Sequence, residues 1–228
     1  MAIARVNEAS GTFGAGPSGT VTTPATSLTA GNRCIVSFRW TTSGITVTSV
    51  ADTAGNTYTL IRLHASETTT SIAVYECNDC LGDASNVITA TFSAGATNYS
   101  ACAVQYSGLG DYDIVVAASS HVGTGDISRQ TFNISDGLVL NVVQVNAASG
   151  TWAAGSGMTL VVEDSANVQM LAEAIVTSAT SVVPSPTSSS NAAKDQVAVL
   201  FAVLGSGSPS PGGSYDAVQR LVGSGLIG

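Results

Sequence analysis

Apolar and polar residues alternate along this chain in short runs that recur almost to its end. In CIVSFRW (34–40), Cys34, Val36, Phe38 and Trp40 fall on one side, and Ile35, Ser37 and Arg39 on the other. ITVTSV (45–50) sets Ile45 and Val47 against Thr46 and Thr48. TYTLIRL, SIAVYEC, VITATF and SACAVQY continue the pattern in the first half, and LVLNVVQV, MTLVVED, QMLAEAIV and QVAVLFAVL continue it in the second. A period of two places successive side chains on opposite faces of a strand. Turn-forming clusters such as TTSG, TAGN, SAGATN and AASG divide the runs. QMLAEAIV has helical propensity, but the surrounding pattern predicts a strand there as well.

The two halves echo one another. AGN-RCIVSFRWTTSG in the first corresponds to SDG-LVLNVVQVNAASG in the second, AGNTYTLI to GSGMTLVV, and SACAVQYSGL to VAVLFAVLGSG. The second copy is shorter between Gly150 and Met158 than the first between Gly44 and Tyr58, where the first carries VTSVADTA. Strands with one apolar face must close on a second sheet. The expectation is an all-β, antiparallel β-sandwich, jelly-roll-like, built from two degenerate internal repeats. It spans 1–204, with copies at approximately 1–109 and 110–204. No Pro-rich or charged linker divides the copies near 107–113, which favours one core shared by both over two separate sandwiches.

Composition narrows the role. Charged residues make up only 10% of the 228 positions while hydrophobic ones make up 44%, so the chain can bury a core. The net charge is −8 and the seven basic residues are scattered. No basic patch for phosphates can be assembled, so neither nucleic acid nor an anionic membrane is an expected partner. The start, MAIARVNEASGTF, lacks the apolar core of a signal peptide, and no run approaches membrane-spanning length.

Candidate chemistry is sparse. Cys77 and Cys80 form C-N-D-C, a spacing that zinc sites use. Cys34 and Cys102 lie in apolar strands, however, and the four cysteines are expected to be buried structural thiols with no metal. The nucleophile elbow G-x-S-x-G is absent, and neither His64 nor His121 is placed beside a nucleophile by any motif. Asp111 and Asp113 would share a strand face, Glu163 and Asp164 would point apart, and Asp79 and Asp83 sit in a turn without the D-x-D-x-D-G calcium pattern. DTAGN (52–56) reads as a turn held by Asp52 and Asn56, with Gly55 at positive φ. Trp40 is expected in the core. Trp152, in SGTWAAGSG, is the expected exposed aromatic and the candidate ligand contact. No catalytic residue and no cofactor are expected.

AGN, an apolar strand, TVTSVADTAGNTYT, an AVY strand and an AVQYSGL strand together resemble a β-sandwich module of bacterial surface proteins and phage structural proteins. The resemblance covers roughly residues 28–204. It implies a module of the kind carried as a non-catalytic part of diverse proteins, and it brings no catalytic residue with it. The expected role is a structural component of a virus particle, of capsid-decoration or head-fibre type. Its partner would be a major capsid or other virion protein, it would form a homo-oligomer or multicopy assembly, and its location would be the virion after synthesis in the host cytoplasm. The alternative is a carbohydrate- or cell-surface-binding adhesion module.

The last stretch, 205–228, changes character. GSGSPSPGGS is a flexible composition, followed by SYDAVQRLVGSGLIG. Ser214 and Asp216 suit a helix start, Tyr215, Val218, Leu221 and Val222 form a one-sided apolar stripe, and Gly223 suits its end. Two helical turns are not stable alone in water. These four residues are therefore the expected docking contacts of a C-terminal arm.

Overall fold

The computed structural model describes residues 2–65, 70–120, 131–145, 151–164, 166, 169–189 and 194–203. Among them there is no helix. The first half contributes β1 (Ala4–Gly14), β2 (Ser18–Thr22), β3 (Thr26–Leu28), β4 (Arg33–Trp40), β5 (Val47–Asp52), β6 (Thr59–Ala65), β7 (Ser71–Cys77), β8 (Asp83–Asn86), β9 (Ile88–Ala96) and β10 (Tyr99–Ser107). The second contributes β11 (Leu109–Ser120), β12 (Phe132–Ile134), β13 (Gly137–Val145), β14 (Trp152–Ala153), β15 (Thr159–Glu163), β16 (Gln169–Val176), β17 (Thr180–Val182), β18 (Thr187–Ser188) and β19 (Lys194–Val203). QMLAEAIV is β16, a strand as its neighbours predicted.

Each half folds around one five-stranded antiparallel sheet. Their orders are β1-β10-β4-β7-β6 and β11-β19-β13-β16-β15. The small sheets correspond as well: β3 pairs β8 where β12 pairs β17, and β5 pairs β9 where β14 pairs β18. The registers agree in detail. Arg33 faces Tyr106 across the first sheet and Leu138 faces Phe201 across the second. Thr59 faces Glu76 where Thr159 faces Glu173. The two large sheets thus share one strand order among the described residues.

The two large sheets pack face to face. Ile35, Ile72, Val74, Cys102 and Val104 of the first meet Leu140, Val142, Leu171, Val197 and Val199 of the second in a central core. Each large sheet also has a covered outer face. Cys34, Val36, Phe38 and Trp40 pack there with Val21, Leu28, Ile88, Ala90 and Phe92 of the small sheets. On the second half, Val143, Val145, Met170 and Ala172 pack with Trp152, and Val139, Ala174 and Leu200 with Phe132, Ile134 and Val182. The result is a pair of sandwiches joined back to back, with a shared core between them and separate cores outside. A strand covered on both faces is buried throughout, and every residue of β4 and β13 is buried.

The sheet margins are drawn together as well. A parallel bridge joins Gly11 of β1 to Asp164, which directly follows β15. At Gly11 a Cβ would lie 2.4 Å from the Asp164 Cβ, so only glycine permits that approach.

Candidate functional site

Both arginines of CIVSFRW's neighbourhood lie between the halves. Arg33 is 3% exposed. Its guanidinium donates to Glu76 Oε2 at 2.8 Å and to Asp111 Oδ1 of the second half at 2.9 Å, and lies 5.8 Å from the centre of the Phe201 ring. At the same end, the Tyr106 hydroxyl donates to Glu173, whose other oxygen is 3.6 Å from Arg5. At the opposite end of β4, Arg39 is fully enclosed and donates to the backbone oxygens of Asn98 and Val145. Burial pushes its pKa down to about 10, with Asp164 and Asp195 opposing the shift, so it stays a cation at neutral pH. Gln169 donates to Ser37 at 2.8 Å and accepts from Ser100 at 2.6 Å. These contacts fix how the two sheets face each other. A misaligned pairing would leave buried polar groups unmatched, at about 1–3 kcal/mol each.

His64 approaches Asp195 at 3.4 Å, and Asp195 also accepts from Thr70 and Gln144. The sequence of contacts is hydroxyl, carboxylate, imidazole. Nucleophilic catalysis needs the imidazole between the other two, able to take the hydroxyl proton. Here the Thr70 proton is directed at the carboxylate, so the cluster ties the halves together.

Several other carboxylates serve turns and ion pairs. Asp52 accepts from the Asn56 backbone N–H (2.8 Å), the Asn56 amide (2.7 Å) and the Tyr58 hydroxyl (2.9 Å), while Gly55 sits at φ 81°. The DTAGN turn is built as its residues predict, and burial pushes the Tyr58 phenol well up. Asp83 is held below its usual pKa by the Ser85 N–H and the Thr53 hydroxyl. Asp79 takes a left-handed φ of 55°. Asp111 is used by Arg33. Asp164 is buried and Glu163 is not, so the two point apart as expected. Among the described residues, no group of three or more potential ligands is arranged to hold a metal ion.

Two expectations require correction or fall elsewhere. Trp152 is not an exposed platform: it is 8% exposed and packs in the outer core of the second half. Its Gly- and Ala-rich flanks suggested a surface turn, but β14 lays the ring over the outer face of β13 and β16. Trp40 is enclosed as expected, its indole N–H donating to Ile45 O at 3.1 Å. The docking residues Tyr215, Val218, Leu221 and Val222 lie outside the described residues, as does His121.

The register assembles one cluster that sequence spacing did not reveal. Cys34 and Cys77 are directly opposed on β4 and β7, and Cys80 returns over them. The fourth cysteine, Cys102, lies in the central core on the other side of the sheet. The signal was available only in part: Cys34 falls on the same strand face as Val36 and Phe38, but nothing in the chain names its cross-strand partner. Comparison with protein-family models, with curated proteins and with solved structures finds no match.

Proposed function

We propose that this chain is a non-enzymatic structural component of a virus particle, a decoration or head-fibre-type protein attached in many copies to a repetitive protein surface. The observation that supports this reading is where the body begins, crosses over and ends. Ala4 pairs with Ser107, Leu109 pairs with Val203, and the connecting Gly108 lies against Ala2. All three points meet at one pole. The described body therefore ends at Val203 beside its first strand, and the proposed arm is the one that carries Tyr215, Val218, Leu221 and Val222. One end serves as the attachment pole, and the rest of the double sandwich projects from it. Weak single contacts by such an arm suffice when many copies bind one particle, because avidity multiplies them. The charged groups between the halves are engaged in joining them, which also suits a scaffold.

Occupancy on particles tests the reading. The full chain, a form lacking residues 213–228 and Leu221→Asp are each assembled with the capsid protein, and retained copies are counted after gradient sedimentation. Retention of the full chain with loss of both variants is expected. A truncated form retained at full occupancy would remove the arm from the model. A full chain that ignores particles but binds a glycan array would replace the reading with the adhesion alternative.

A further inference from the structure

Three of the four cysteines converge on one spot in the outer core of the first half. Cys34 lies near the start of the central strand β4, and Cys77 is the last residue of β7 and its direct cross-strand partner. Paired residues of antiparallel strands have Cα atoms about 4.5–5.5 Å apart. The turn after β7 then brings Cys80 back. Its N–H donates to Asn32 O at 2.9 Å, and its carbonyl accepts from Gly31 N at 2.9 Å. These two bonds clamp the turn to the residues just before β4. The Cys80 thiol donates to Cys77 O at 3.3 Å. None of the three is more than 3% exposed. The Leu81 N–H is fastened to Asn56 Oδ1 at 2.6 Å, so the DTAGN turn buttresses the same loop.

The three sulfurs are not equivalent. Hydrogen bonds from the Cys34 and Cys77 thiols, with the Cys34 backbone N–H, push the Cys80 thiol down to about 4 against the effect of burial. The same contacts push Cys34 and Cys77 up, and burial adds to the effect. Cys102 has no such neighbours, and burial alone leads its shift upward. The thiolate form is the nucleophile in thiol–disulfide exchange.

We infer that Cys77 and Cys80 are a two-electron thiol switch that reacts when their turn opens, with Cys80 attacking and Cys77 closing the disulfide while Cys34 stays behind in β4. The oxidant is a small-molecule disulfide of the glutathione class. The Cys80 thiolate attacks one of its sulfurs, the S–S bond breaks, and the departing thiolate takes a proton. Cys77 loses its proton to solvent, its sulfur attacks Cys80 Sγ, and the second small thiol leaves. Two protein thiols become one disulfide and one small disulfide becomes two thiols, so atoms and electrons balance. Cys77 is the closing partner because it ends its strand, next to a turn whose Asn78, Asp79, Leu81 and Gly82 are solvent-exposed or nearly so. Opening that turn carries Cys77 and Cys80 out together. Cys34 cannot follow, since β4 is bonded to strands on both sides.

The full chain is incubated with oxidised glutathione, quenched in acid, unfolded, alkylated and mapped by mass spectrometry. Two thiols are expected to disappear as a Cys77–Cys80 disulfide, at least tenfold faster than any modification of Cys102, while Cys34 remains alkylatable. In Cys77→Ser, a glutathione adduct should accumulate on Cys80. Unmodified wild-type protein, modification of Cys102 at the same rate, or a disulfide containing Cys34 would each overturn the inference. The wild-type map decides the matter even where a variant does not fold.

Discussion

Glu76 and Glu173 occupy the same place in the two halves, yet each is neutralised by different means. Glu76 on β7 faces Ile35 of its central strand, as Glu173 on β16 faces Leu140. Glu76 is bound by Arg33 of its own half, which also reaches Asp111 of the other. Glu173 is bound by Tyr106 and Arg5, both from the first half. One architecture therefore carries two different polar closures at corresponding positions, and both cross the junction between the halves.

Removing Arg33 should be costly, because it leaves the Glu76 carboxylate enclosed without its cation. Breaking a buried pair from one side costs about 3–5 kcal/mol, whereas replacing both partners by apolar groups is often close to neutral. Urea unfolding of Arg33→Ala is expected to show a loss in that range. The double variant Arg33→Met/Glu76→Met should recover most of it. Asp111, the exposed third member, should matter little when changed to Asn. A double variant as unstable as the single one would mean that Arg33 acts through packing and not through charge.

Acid should strengthen the Glu76 position relative to its amide. Burial pushes the Glu76 carboxyl above its ordinary value, and Arg33 offsets this only in part. The folded protein then binds that proton more readily than the unfolded chain. Between the ordinary carboxylate range and the raised value, stability falls as pH rises. The unfolding free energy of wild type minus that of Glu76→Gln should grow as pH drops from about 7 to about 4. A difference that shrinks on acidification would show that Arg33 dominates the site.

The two halves should unfold together. The protein has two tryptophans, Trp40 in the outer core of the first half and Trp152 in that of the second. Trp152→Phe leaves a fluorophore reporting on the first half, and Trp40→Phe leaves one reporting on the second. Each curve should coincide with the loss of β-sheet circular dichroism measured on the same variant. Leu140→Ala, in the central core, should lower both transitions by about 2–5 kcal/mol. Fluorescence and circular dichroism that separate within a variant would mean that the junction is too weak to couple the halves.

Gly108 should resist substitution although it lies in a connection. It sits at φ 68°, and a Cβ there would meet Ala2 O at 2.4 Å. Left-handed backbone costs a residue with a Cβ about 1–2 kcal/mol before any clash. Gly108→Ala is expected to cost about 2 kcal/mol or more in thermal or urea unfolding. Gly44→Ala, also at positive φ but with open space around it, should cost only the backbone term.

Period-two patterning determined, from the sequence alone, that the chain is all-β and which residues share a strand face. It separated Cys34, Val36, Phe38 and Trp40 from Ile35, Ser37 and Arg39, and the structure keeps them on opposite sides of β4. The DTAGN turn was equally legible, because its side chains bond to backbone and neighbours within a few residues. Only the tertiary structure decided what covers each face. Alternation marks two faces, but whether water, a small sheet or the other half lies against them depends on contacts distant in the chain. For that reason the shared central core and the separate outer cores exist together, Arg33 and Arg39 are enclosed, Trp152 is covered, and Cys34 meets Cys77 and Cys80. Each of these rests on strand pairing or sheet stacking between residues far apart in sequence, where local propensity carries no information.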